Sequence, residues 1–158
     1  MGKVIRIRNL DLGQGRPKIC ALVIGEKEEE IMDLAVRSND AVCDMIEFRA
    51  DHYENVLEPD KLRELLVKLR ETIRKPMIFT FRRFEEGGKT KTTLRYYTDM
   101  LKMVALGGFA EILDVERALG LTISMAAGAL MPRSIMSCSL SCFMGPAGSE
   151  PSLYQMSH

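Results

Sequence analysis

The sequence predicts an α/β fold in which parallel strands are joined by helical crossovers. Three observations carry the prediction. Apolar runs of strand length alternate with helical patterns between residues 18 and 116. That order is the one expected when each connection crosses back over a parallel sheet. The last three strand runs also stay apolar until their carboxyl ends, where charge appears.

The elements follow in order. VIRIR (4–8) alternates apolar and charged residues with period two, as a half-buried strand does. GQGRP (13–17) is a turn signal. KICALVIG (18–25) is a continuous apolar run ending in glycine, as a buried parallel strand would be. EKEEEIMDLAVRS (26–38) opens with acids, which suit the positive end of a helix, and Ile31, Leu34 and Ala35 share one face. CDMIEFRAD (43–51) is the next strand. EPDKLRELLVKLRETIRK (58–75) is the clearest helix: Pro59 suits its first turn, and Leu62, Leu65, Leu66, Leu69 and Ile73 repeat at helical spacing. PMIFTFR (76–82) is a third strand, and TTLRYYTDMLKMVALGG (92–108) a third helix, stopped by Gly107 and Gly108. AEILDVE (110–116) is a fourth parallel strand.

The pattern then stops. Before residue 117 there is one serine, Ser38; after it serine recurs throughout. Charge does the opposite, with only Arg117, Arg133 and Glu150 beyond residue 116. Residues 1–116 are therefore expected to form the globular part, and 117–158 an atypical, partly disordered tail.

Composition narrows the function classes. Formal net charge is zero, so no global basic field points to nucleic acid or to an anionic membrane. No apolar run reaches the length of a membrane span. The N-terminal MGKVIRIRNLDLG lacks the apolar core of a signal peptide, so a soluble, cytoplasmic protein is expected. Cys20 and Cys43 lie in apolar runs and read as buried thiols. Cys138 and Cys142 have no second cysteine pair or nearby histidine, so no metal site is expected.

The charged strand ends carry the chemistry. They place Glu47 and Arg49 after one strand, Arg82 and Glu86 after the next, and Asp114 and Glu116 after the fourth. In a parallel barrel such ends meet on one face. Arginine offers a planar fork to a carboxylate, and glutamate accepts from hydroxyls, so the set suits a small polyhydroxylated carboxylic acid. Charges at strand ends also arise as solvated loop starts; the repetition over three strands favours a site. Gly87 and Gly88 let the intervening loop bend tightly.

RPKICALVIG, IEFRADHYENV, KPMIFTFRRFEEGGK and ILDVE together resemble the N-terminal half of type I 3-dehydroquinate dehydratase. The pairing of E-x-R-x-D with F-T-F-R-x-x-x-E-G-G is the specific part. The resemblance implies a partial eightfold (β/α) TIM barrel, with about the first four βα units and an N-terminal β-hairpin closing its bottom. It implies a lyase of the shikimate pathway, and so of chorismate and aromatic amino acid biosynthesis. That lyase converts 3-dehydroquinate to 3-dehydroshikimate and water through a Schiff base, with no cofactor. Glu47, Arg49 and Arg82 would bind substrate, Glu86 would orient a catalytic histidine, and Asp114 and Glu116 would support them.

The same resemblance exposes a departure. The family's Schiff-base lysine and shuttle histidine fall beyond residue 116, where this sequence has no lysine and only the terminal His158. Ser139, in IMSCSLSCF, aligns with the histidine position. Lys89 and Lys91 read as solvated loop charges. The expectation is a truncated relative that is inactive alone. The alternatives are a non-catalytic ligand-binding or interaction module, or a non-functional product of a truncated or frameshifted gene. Four strands cannot close a barrel, so the first and fourth would be open edges. Dimerisation, the tail around LTISMAAGAL (121–130), or partial unfolding would deal with them. The final stretch, 145–158, is expected to lack order.

Overall fold

The computed structural model describes residues 4–115 and the backbone of residues 153–155. The expected alternation is present. An antiparallel hairpin of β1 (Ile5–Ile7) and β2 (Leu10–Leu12) is followed by β3 (Ile19–Val23), α1 (Glu28–Ser38), β4 (Met45–Arg49), α2 (Pro59–Thr72), β5 (Met77–Thr80), α3 (Leu94–Gly107) and β6 (Ile112–Asp114). Strands β3 to β6 are parallel neighbours in chain order. The sequence pattern supplied β1 alone; its partner β2 was expected only through the family resemblance.

Local chemistry sets the helix ends. Glu30 folds back on the start of α1, accepting from the Glu26 and Lys27 amides at 3.0 and 3.3 Å, and those bonds hold its carboxyl below the ordinary range. Pro59 opens α2. Thr93 caps α3 by accepting from the Tyr96 amide at 3.2 Å, and Gly108 ends that helix at φ 64°, a left-handed conformation that favours glycine.

The two faces of the sheet pack against different things. Side chains alternate along each strand. Val23, Ile46, Phe48, Met77, Phe79, Leu113 and Val115 pack against α1, α2 and α3 in the main core. On the inner face, Cys20, Met45, Ile78 and Ile112 meet Ile7, Leu10 and Leu12 of the hairpin. These strand residues lie towards the amino ends of β3–β6, so the hairpin covers the bottom of the curved sheet. Arg8, in the two-residue hairpin loop, sits at φ 53°. It anchors the hairpin, with Nε 2.6 Å from Glu111 Oε1 and Nη1 donating to the Arg74 carbonyl at 2.8 Å.

Two expectations change. Cys43 is half-buried, and Lys75 Nζ donates to its sulfur at 3.2 Å and to the Ser38 and Ala41 carbonyls at 2.9 and 2.6 Å. Strand β3 is not an open edge: β7 (Leu153–Gln155) pairs with it antiparallel, Ala21 opposite Leu153 and Ile19 opposite Gln155. The stretch expected to lack order thus supplies a strand, because the unpaired amides and carbonyls of β3 template whatever extended segment reaches them. Residues 121–130, the expected edge cover, lie outside the described residues.

Candidate functional site

The inner face changes from apolar to charged along the strand direction. One row in register across four strands is Leu22, Glu47, Ile78 and Ile112. Two residues further along, towards the carboxyl ends, the row is Arg49, Thr80 and Asp114. Arg82, two residues past the end of β5, reaches this row through its ion pair with Asp114. The period of two in each strand therefore turns three separate sequence runs into one polar rim.

Arg49 and Asp51 fix the centre of that rim. Both are buried. Arg49 Nε and Nη2 donate to the two carboxylate oxygens of Asp51 at 2.9 and 3.0 Å, a planar fork on a planar acceptor. Asp51 also accepts from the Arg82 amide at 3.4 Å and the Lys89 amide at 3.2 Å, while its own carbonyl accepts from the Thr90 hydroxyl at 2.7 Å. Burial alone would raise its pKa. The hydrogen bonds and charge of Arg49, with the Lys89 amide, outweigh burial and hold the carboxyl below its ordinary value. His52 Nε2 stands 3.6 Å from Asp51 Oδ2. Burial lowers the His52 pKa more than the Asp51 charge raises it.

Asp51 was visible in the sequence only as the last letter of E-x-R-x-D, with no role attached. The structure makes it the joint between the end of β4, the end of β5 and the loop that follows. The available signal was an acid two residues after an arginine, just past a strand end. Thr80 was missed as well, since threonine inside a strand looks like ordinary strand composition.

The other predicted residues divide. Glu47 is half-buried on the inner row. Arg82 Nη2 lies 3.9 Å from Asp114 Oδ2, and both side chains are mostly shielded. Glu86 stands apart from these: it is exposed, at the end of the short 3₁₀ turn Phe84–Glu86 that follows β5. Glu116 lies outside the described residues. Gly87 adopts φ 85°, and at Gly88 a Cβ would fall 1.8 Å from the Arg82 carbonyl oxygen. Any side chain at Gly88 would collide with backbone, so the glycine pair closes the loop against the end of β5.

The loop lysines are engaged locally. Lys89 Nζ pairs with Glu26 at 3.3 Å, and Lys91 Nζ lies 4.6 Å from the Phe84 ring centroid. Among the described residues there is no cluster of three or more histidine, cysteine or acidic side chains that could hold a metal ion. Nor is any described helix long and apolar enough to cross a membrane.

Comparison with known proteins agrees with this architecture. A family model for type I 3-dehydroquinase matches residues 19–137, past the composition break at 117. The 3-dehydroquinate dehydratase of Clostridioides difficile is 37% identical over 121 residues, covering 76% of this chain and 48% of that protein. The Salmonella typhimurium protein of the same name is 32% identical over 115 residues, covering 72% of this chain and 46% of its own. Among solved structures, the type I enzyme from Clostridium difficile with covalently modified comenic acid superposes with TM-score 0.74 at 36% identity, over 78% of this chain and 49% of that one. The Enterococcus faecalis enzyme gives TM-score 0.73 at 28% identity, over 79% and 54%. The chain spans about half the length of the curated relatives it matches.

Proposed function

The chain belongs to the type I 3-dehydroquinase family, and from that premise we propose that it carries the substrate-binding side of a 3-dehydroquinate dehydratase site without the groups for turnover. The observation that carries this reading is the polar rim itself: Glu47, Arg49, Arg82 and Asp114 on one face, at the carboxyl ends of three adjacent parallel strands. Arg82 and Arg49 set a positive field for the substrate carboxylate, with Arg49 held in place by Asp51. Glu47 accepts from substrate hydroxyls. Asp114 supports Arg82, and Glu116 would extend that support.

In the full reaction a lysine attacks the substrate ketone, water leaves, and the resulting iminium draws electrons from the neighbouring C–H bond. A histidine takes that proton and returns a proton to the departing hydroxyl. Glu86, on its exposed turn, is proposed to orient such a histidine when one is provided. By the resemblance Ser139 would stand at the histidine position, and the sequence has no lysine after Lys102. Lys89 and Lys91, tied to Glu26 and Phe84, are poor replacements for a buried neutral amine.

The division into a barrel half (1–116) and a separate segment (117–158) is proposed from the composition break. A cytoplasmic location and a homodimer formed through sheet edges belong to the same reading. The test is calorimetric titration of the chain with 3-dehydroquinate, alongside ultraviolet absorbance of the conjugated product and borohydride trapping. Binding without product and without a lysine adduct is the expected result. Absence of binding overturns the binding assignment, and steady turnover overturns the inactive one.

A further inference from the structure

The rim contains a polar atom without a partner among the described residues. Thr80 is fully buried, and no hydrogen-bond partner for its Oγ1 is present among the described residues. Other hydroxyls behave differently. Ser38 Oγ donates to the Ala35 carbonyl at 2.7 Å, Thr90 Oγ1 to that of Asp51 at 2.7 Å, and Thr98 Oγ1 to that of Leu94 at 2.9 Å. A buried hydroxyl without such a bond is disfavoured, and valine would fill the same space in a strand without it.

The position of Thr80 says what it could serve. It is the middle residue of the row Arg49–Thr80–Asp114. Arg82, two residues on, forms an ion pair with Asp114, Nη2 to Oδ2 at 3.9 Å. The hydroxyl thus sits between two arginines that attract an anion and a carboxylate that accepts from hydroxyls.

We propose that Thr80 is a ligand-binding residue whose hydroxyl bonds to an oxygen of the polyhydroxylated carboxylic acid held between Arg49, Arg82 and Asp114. Its partner is supplied by the ligand. The assignment makes Thr80 a specificity determinant for that oxygen, and it rests on the substrate class proposed above.

The experiment is titration of the full chain with 3-dehydroquinate, comparing the parent with Thr80→Val and Thr80→Ser, and melting of each protein without ligand. Thr80→Val is expected to weaken binding about tenfold, the worth of one hydrogen bond. It should not lower the melting temperature, because the bond it removes is absent from the free protein. Thr80→Ser, which keeps the hydroxyl, should bind like the parent. Equal binding by parent and Thr80→Val overturns the assignment while leaving the proposed function standing. A lower melting temperature or loss of folding in Thr80→Val also overturns it, by showing that the hydroxyl is partnered within the fold. A parent chain that does not bind 3-dehydroquinate overturns the proposed function, and this inference with it.

Discussion

The two ends of the inner face are made from the same strands but hold together differently. At the bottom, Cys20, Met45, Ile78 and Ile112 are sealed by the hairpin, and the adjoining charge is fully matched. Glu111 takes Arg8 at 2.6 Å and Arg70 at 2.9 Å on one oxygen, and the Met77 amide at 2.9 Å on the other. At the top, Asp51 is as thoroughly matched and Arg82 pairs with Asp114 at 3.9 Å, but the Thr80 hydroxyl beside them has no partner among the described residues. The bottom is arranged to stay closed, whereas the top keeps polar capacity for something else. In a parallel barrel this is the expected division between a stabilising end and a chemical one.

Substitutions can break that contrast. The largest effect is expected at Asp51, the one site residue that also holds the fold. Asp51→Ala removes the carboxylate from buried Arg49 and should cost about 3–5 kcal/mol in urea unfolding. A loss below about 1 kcal/mol would show that Arg49 is adequately solvated or re-paired without it. Next is the apolar bottom. Met45 is completely buried under the hairpin, and Met45→Ala should cost about 2–5 kcal/mol while leaving 3-dehydroquinate affinity unchanged in the folded protein. A change in affinity at that position would mean that the two ends are coupled.

Arg82→Ala sharpens the contrast from the other side. Affinity for 3-dehydroquinate should fall at least about tenfold, since a charged hydrogen-bonding group is lost. Comparable affinity in parent and variant would remove Arg82 from the site.

The smallest effect is a pH dependence, for which only a direction is expected. The folded-state pKa of Asp51 lies below its ordinary value of 3.8. The unfolded chain therefore takes up the proton first as the pH falls. The stability due to Asp51 is fully present above the ordinary value and is lost as pH falls through the lower folded value. Urea midpoints measured downward from pH 6 should fall more steeply for the parent than for Asp51→Asn. Parallel curves would contradict the shift.

Much of this was legible along the chain. Helical spacing in 58–75 located α2 within a few residues, and apolar runs ending in charge located β4 and β5 and the end at which they carry polar groups. Those signals are local, because burial of one face imposes a period on neighbouring residues. Glu47, Arg49, Arg82 and Asp114 could therefore be named as one rim from position alone. The exposure of Glu86 could not, since a short turn after a strand can face either way.

What the sequence determined by itself was the order of strands and helices and the chemical polarity of each strand, because periodicity and composition are written into adjacent residues. Tertiary structure alone decided three other things. It paired residues 153–155 with β3, joined Asp51 to a loop nearly forty positions away, and left the Thr80 hydroxyl, between Arg49 and Asp114, without a partner among the described residues. Each depends on register between distant segments and on which donors and acceptors remain after packing, and no local pattern encodes that remainder.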